Sequence, residues 1–90
     1  MIRLNEAFVE LRSPEEAAQF MDALFSPAEI EAIEHRWQAF QMLVEGATQR
    51  TVSNELGVGI ATASRAAAAV KQNKQIIHTI LRRRKVQGSD

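Results

Sequence analysis

No cysteine occurs in the sequence, which excludes a disulfide scaffold, thiol catalysis and cysteine-based zinc sites and fits a reducing, cytoplasmic compartment. Long apolar runs are missing too. No window reaches 18 uninterrupted apolar residues, and Met1 to Glu6 turn polar at once, so neither a signal peptide nor a membrane span is expected. Only two prolines and four glycines interrupt 90 residues, of which 46% are hydrophobic and 24% charged, the composition of a folded chain rather than a disordered one. Signals of catalysis are scarce as well. Paired catalytic carboxylates, a phosphate-cradling glycine loop and a nucleophile with an evident base are all lacking, and His35 and His78 have no partners at metal-ligand spacing, so no enzyme and no metal site is expected. A chain this short forms one domain at most and buries only about 60 to 65% of its unfolded surface, which a second subunit would improve greatly.

Excess charge of either sign is also absent, yet the net of zero conceals a segregation. Residues 1–45 carry nine acids against three bases, a net of −6, whereas residues 46–90 carry eight bases against Glu55 and Asp90, a net of +6. The C-terminal half therefore has the electrostatic footprint of a polyanion-binding surface.

Helical periodicity fills almost all of the chain. Leu4, Ala7, Phe8 and Leu11 recur at i, i+3, i+4, i+7 and predict a short helix over residues 2–12. Ser13-Pro14-Glu15-Glu16 is a capping box with proline at the first helical position, and Glu16 is expected to return to the N–H of Ser13; Ala17, Phe20, Met21 and Leu24 form the apolar face that follows. Ser26-Pro27-Ala28-Glu29 repeats the device and opens a longer helix with Ile30, Ile33, Trp37, Phe40 and Val44, ended at Gly46 by a left-handed C-cap. Thr48 caps a short helix through Leu56, Gly57-Val58-Gly59 reverses the chain, and Ile60 to about Gln72 forms an alanine-rich helix. A last amphipathic helix runs from Lys74 to about Lys85, with Val86 to Asp90 expected to fray. No strand candidate survives, and the fold class is all-α.

The stretch from Gln49 to Arg65 carries the functional argument. Two helices crossing steeply need a small residue where they touch and a glycine where the backbone returns, roles taken by Ser53 and Gly57. Val52, Leu56, Val58 and Ala63 would pin this unit to the body. Ile60, Ala61 and Ser64 can then approach base edges in the major groove, while Arg50, Ser53 and Asn54 suit phosphate. The candidate DNA-contacting set is Gln49, Arg50, Ser53, Asn54, Gly59, Ile60, Ala61, Thr62, Ser64 and Lys71. A competing reading keeps an ordinary helical hairpin and uses the basic half to bind an acidic protein.

The run Asn54-Glu55-Leu56-Gly57-Val58-Gly59-Ile60-Ala61-Thr62, followed by Ser64-Arg65 and preceded by Gln49-Arg50 and Ser26-Pro27-x-Glu29, resembles the bacterial Trp repressor family from about Phe25 to Lys71. The resemblance implies an intertwined helical homodimer with paired helix-turn-helix units that repress transcription at a palindromic double-stranded DNA operator. It also implies L-tryptophan as corepressor, with a ligand site of Phe25, Ser26, Arg36, Thr62, Arg65, Ala66 and Ala69. Arg36 and Arg65 match the two arginines that sandwich the indole, and Ser26 and Thr62 match hydroxyl positions. Ala66 and Ala69 stand where the family has glycine and serine; an added methyl and a lost hydroxyl predict weak or absent tryptophan binding, improved by Ala66→Gly with Ala69→Ser.

On this reading residues 1–46 form a dimerisation core, 47–72 the helix-turn-helix, and 73–90 a C-terminal helix with a basic tail. Trp37 continues an apolar row and reads as core or dimer interface. Arg36 reads either as the partner of an acid such as Glu29 or as a ligand contact, and Arg82 to Lys85 either as a solvated helix end or as a phosphate contact.

Overall fold

A computed structural model of the chain describes residues 1–88; the part of the expected frayed tail that falls on Ser89 and Asp90 lies outside the described residues. The described residues form six helices and no strand: α1 (Leu4–Val9), α2 (Pro14–Leu24), α3 (Pro27–Val44), α4 (Gln49–Leu56), α5 (Ile60–Gln72) and α6 (Lys74–Gly88). They fall into two compact units, Met1–Ile33 and Glu34–Asp90.

Helix boundaries follow the capping groups. The first helix is shorter than the apolar stripe suggests, covering 4–9 rather than 2–12. Its start is set by the Arg3 N–H donating to Glu6 Oε1 at 2.9 Å, and its end by tightened bonds from Glu10 N–H to Ala7 O and Leu11 N–H to Phe8 O. The chain must then extend so that Ser13 can cap α2, whose Oγ accepts from Glu16 N–H at 3.0 Å. Glu16 departs from expectation. Its carboxylate takes the N–H of Arg12 at 3.0 Å, one residue before the cap. At Ser26 the reciprocal box is complete, with Ser26 N–H donating to Glu29 Oε1 at 2.8 Å and Glu29 N–H to Ser26 Oγ at 3.2 Å.

Gly46 terminates α3 at φ 102°, and the bonds from Gly46 N–H to Leu43 O (3.1 Å) and Ala47 N–H to Met42 O (3.0 Å) form the two-bond Schellman closure. Thr48 Oγ1 then accepts from Thr51 N–H and opens α4. The last helix continues through Gly88, so Val86 does not fray. No breaker precedes that glycine, and the cations of the final turns favour a helix C-terminus.

The unit Met1–Ile33 has no fully buried residue. Phe8 meets Phe20 edge to face, with centroids 5.5 Å apart and planes at 87°, and Ala7, Leu11, Ala17, Phe20 and Met21 are half-buried. Leu4, Phe8, Val9 and Leu24 stay exposed, Val9 to 79%.

The unit Glu34–Asp90 has a small, tight interior. Ala39 of α3, Val52 of α4 and Ala63 and Ala66 of α5 are buried together, flanked by Phe40, Met42, Leu43, Ala47 and Leu56. Three alanines let the helices approach closely, so added bulk has nowhere to go: Ala63→Leu is expected to lower unfolding free energy by about 1 to 3 kcal/mol, measured by urea denaturation. Trp37 lies half-buried against Phe40, centroids 6.4 Å apart, and α6 contributes the buried Ile77.

Candidate nucleic-acid interface

The helix-turn-helix is α4, the Gly57-Val58-Gly59 turn and α5, with α4 packed on α5. Its interior is set by Val52 and Ala63, neither of which retains any exposure, with Leu56 and Val58 half-buried. Gly57 takes the left-handed conformation (φ 68°, ψ 27°), which a side chain would strain. Ser53 closes the turn: its hydroxyl donates to Val58 O at 2.6 Å. The sequence marked Ser53 as a small contact residue and a phosphate ligand; the hydroxyl's partner in the structure is the backbone of the turn, a role its spacing did not disclose.

Burial divides α5 into two faces. Ala63 and Ala66 point to the interior, whereas Ile60, Ala61, Thr62, Ser64, Arg65, Ala68 and Lys71 are exposed. Ile60, Ser64, Ala68 and Lys71 recur near one-turn spacing on the outer face, Ala68 being absent from the sequence-derived set. Ile60 is 57% exposed in spite of its apolar side chain. A face whose N-terminal part offers the apolar Ile60 and Ala61 and the hydroxyls of Thr62 and Ser64, with no carboxylate, has the reach and chemistry for base edges. Gly59 at the N-cap supplies no capping side chain, so the first-turn N–H groups of α5 stay open to an anion. On α4, Gln49, Arg50 and Asn54 are exposed and Ser53 is half-buried.

The residues proposed for a ligand divide between the units. Phe25 and Ser26 belong to Met1–Ile33; Arg36, Thr62, Arg65, Ala66 and Ala69 belong to Glu34–Asp90. Phe25 and Ala69 are half-buried, and Ser26 and Arg36 are exposed. One guanidinium N–H of Arg65 lies 3.5 Å from Thr62 Oγ1, which joins two of the positions one turn apart. Ala66 is buried among apolar neighbours, so its methyl contributes to the interior. Ala69 O accepts from Asn73 N–H and Nδ2 at the end of the helix.

Ser26 carries a structural duty of its own. Its backbone N–H first, and its hydroxyl second, hold the Glu29 carboxyl below the usual glutamate range. A depressed folded-state value stabilises the cap above the unfolded-state value, and the contribution is lost as pH falls through the folded one. Ser26→Ala is expected to cost about 0.5 to 2 kcal/mol, and Ser26→Gly only a few tenths, by thermal denaturation at neutral pH. An NMR titration should place the Glu29 carboxyl below the ordinary glutamate value.

Among the described residues no group of three or more histidine, aspartate or glutamate side chains is arranged to hold a metal ion, and no helix is long and apolar enough to cross a membrane. The family model described as Trp repressor protein matches residues 2–85, which extends the likeness from the central helices to both ends. No curated protein and no solved structure matches the chain. A family match over nearly the whole length, on a chain whose described residues include a glycine-turned helix pair with an exposed outer face, gives one conclusion: the chain belongs to the Trp repressor family, a family of DNA-binding transcription regulators.

Proposed function

We propose that the chain is a cytoplasmic, homodimeric transcriptional repressor that reads a palindromic operator through paired helix-turn-helix units. The observation that supports it best is the outer face of α5, where Ile60, Ala61, Ser64 and Ala68 are exposed beside a turn braced by Ser53. In this reading residues 1–46 serve dimerisation, 47–72 DNA contact, and 73–90 form the C-terminal helix. Arg50 and Lys71 act on phosphate and Ile60, Ala61 and Ser64 on bases, with Gln49, Asn54 and Thr62 at the edge of the contact. Replacing Arg50 by alanine should weaken binding to every duplex and make its salt dependence shallower by about one phosphate's worth, a log–log slope change of about 0.9. Substitutions at Ile60, Ala61 or Ser64 should instead change which sequence is preferred. Gel-shift titrations over several salt concentrations separate the two, and the same loss of preference from both sets would contradict the assignment.

Tryptophan control is the finer part of the proposal. Arg36 and Arg65 offer cationic faces for an indole, and the Arg65 guanidinium offers donors for a carboxylate. The buried Ala66 favours a second reading, ligand-independent DNA binding, because its methyl is already packed against protein. Wild-type chain is expected to bind L-tryptophan weakly or not at all by calorimetry, and the double variant Ala66→Gly, Ala69→Ser more tightly. Ala66→Gly alone should cost about 2 kcal/mol of stability, from a lost buried methyl and the lower helix propensity of glycine. Tight wild-type binding would show that the methyl is accommodated; none by either protein would favour the ligand-independent reading.

A further inference from the structure

From Leu56 to Ser89 the sequence holds no carboxylate, while Arg65, Lys71, Lys74 and Arg82 to Lys85 supply seven cations. The helix-turn-helix uses only the first part of this stretch. The rest lies on α6, which is tied to α5 by a single residue. Asn73 ends α5 by donating its N–H and Nδ2 to Ala69 O (3.0 and 2.8 Å) and starts α6 by accepting from Ile77 N–H at 3.2 Å, and Ile77 itself is buried. The junction is thus braced from both sides.

An open groove of about 370 Å³ runs along it, lined by Gln72, Asn73, Gln75, Ile76 and Thr79. Its polar groups are amides and a hydroxyl. Arg82 and Arg83 lie three and four residues beyond Thr79, so they extend the same side of the helix, and Arg82 to Lys85 are all exposed. From Ile60 to Lys71 the axis of α5 rises about 16 Å, so the junction at Asn73 lies about a helix length from the reading end of α5.

We propose that the α5–α6 junction and the basic end of α6 hold the sugar-phosphate backbone of double-stranded DNA without regard to sequence, as a contact separate from base reading. Amide, hydroxyl and guanidinium donors are the groups that bind phosphate and sugar oxygens, and two successive helices without a carboxylate of their own present little to repel a polyanion. Exposed Ile76, Ile80 and Val86 on the same helix would also suit a lipid surface, and the match to a family of DNA-binding regulators is what favours DNA.

The proposal takes from the previous section only that the chain binds DNA. Its test is the full chain carrying R82Q, R83Q, R84Q and K85Q, titrated against a random-sequence duplex at several salt concentrations, with thermal melting to verify the fold. The log–log salt slope should become shallower by about 2 to 4, at about 0.9 per phosphate contact, with unchanged preference among duplexes. An unchanged slope overturns the inference. So does an unchanged slope accompanied by loss of binding to phosphatidylserine vesicles, which would assign the patch to a membrane surface. A wild type that enriches one DNA site while the variant keeps the slope sinks this inference alone; a reduced slope in a chain that enriches no site sinks base reading by α5 alone.

Discussion

Val52→Asp is expected to unfold the helix-turn-helix and to abolish DNA binding with it. The side chain has no exposure and sits among Ala39, Ala63 and Ala66, so a carboxylate there would meet methyl groups and no donor. Burying an unpaired charge carries an effective penalty of several kcal/mol, and losing the valine's own burial adds about 1.5 to 3 kcal/mol. Against a total stability of about 5 to 13 kcal/mol for a chain of this length, that is most or all of the margin. Few other residues can compensate, since Ala39, Val52, Ala63, Ala66 and Ile77 are the buried hydrophobics of the described chain. Far-UV circular dichroism should show loss of helix near room temperature, whereas Val52→Ala should stay folded with a lower midpoint. A Val52→Asp protein that melts like the wild type would contradict the packing described for α4 and α5.

The second large effect concerns assembly. Leu4, Phe8, Val9 and Leu24 are exposed in a unit that has no fully buried residue, and a chain of 90 residues buries too little of its apolar surface by itself. The proposed homodimer would cover them. Sedimentation equilibrium at micromolar concentration should give about twice the 10.0 kDa chain mass. Leu4→Asp with Val9→Asp places charges at positions already open to water within one chain and leaves the Phe8–Phe20 contact in place, so they should cost an isolated subunit little while costing a dimer its interface. The expected result is a shift to the chain mass with partial loss of helix. A wild type that sediments as a stable folded monomer would remove the homodimer from the account.

What the sequence discloses and what it hides follow a physical division. Serine, threonine and glycine at Ser13, Ser26, Thr48, Gly46 and Gly57 act through bonds to groups within a few residues, so helix starts and stops could be read directly. Competition between neighbouring caps was harder to foresee: the stripe through Leu11 argued for a longer α1, but Ser13 needs extended backbone before it. Glu16 bonding Arg12 rather than Ser13 is the same kind of local choice. Alanine was the least legible residue. Ala61, Ala63, Ala66, Ala68 and Ala69 look alike in sequence, yet Ala63 and Ala66 fill the interior and Ala61 and Ala68 face outward, a distinction fixed only by which side of α5 meets its neighbours. The Ser53 hydroxyl belongs to this class as well, because its acceptor becomes defined only once the turn has formed.

Selection of bound sequences from a random duplex library with the full chain tests the central claim most directly. Reading by paired α5 helices predicts an enriched, two-fold symmetric site whose half-sites lie about 10 base pairs apart or a multiple of that, and whose sequence shifts when Ile60 or Ala61 is replaced. No enrichment, with or without L-tryptophan, or an enriched site indifferent to both substitutions, would contradict it.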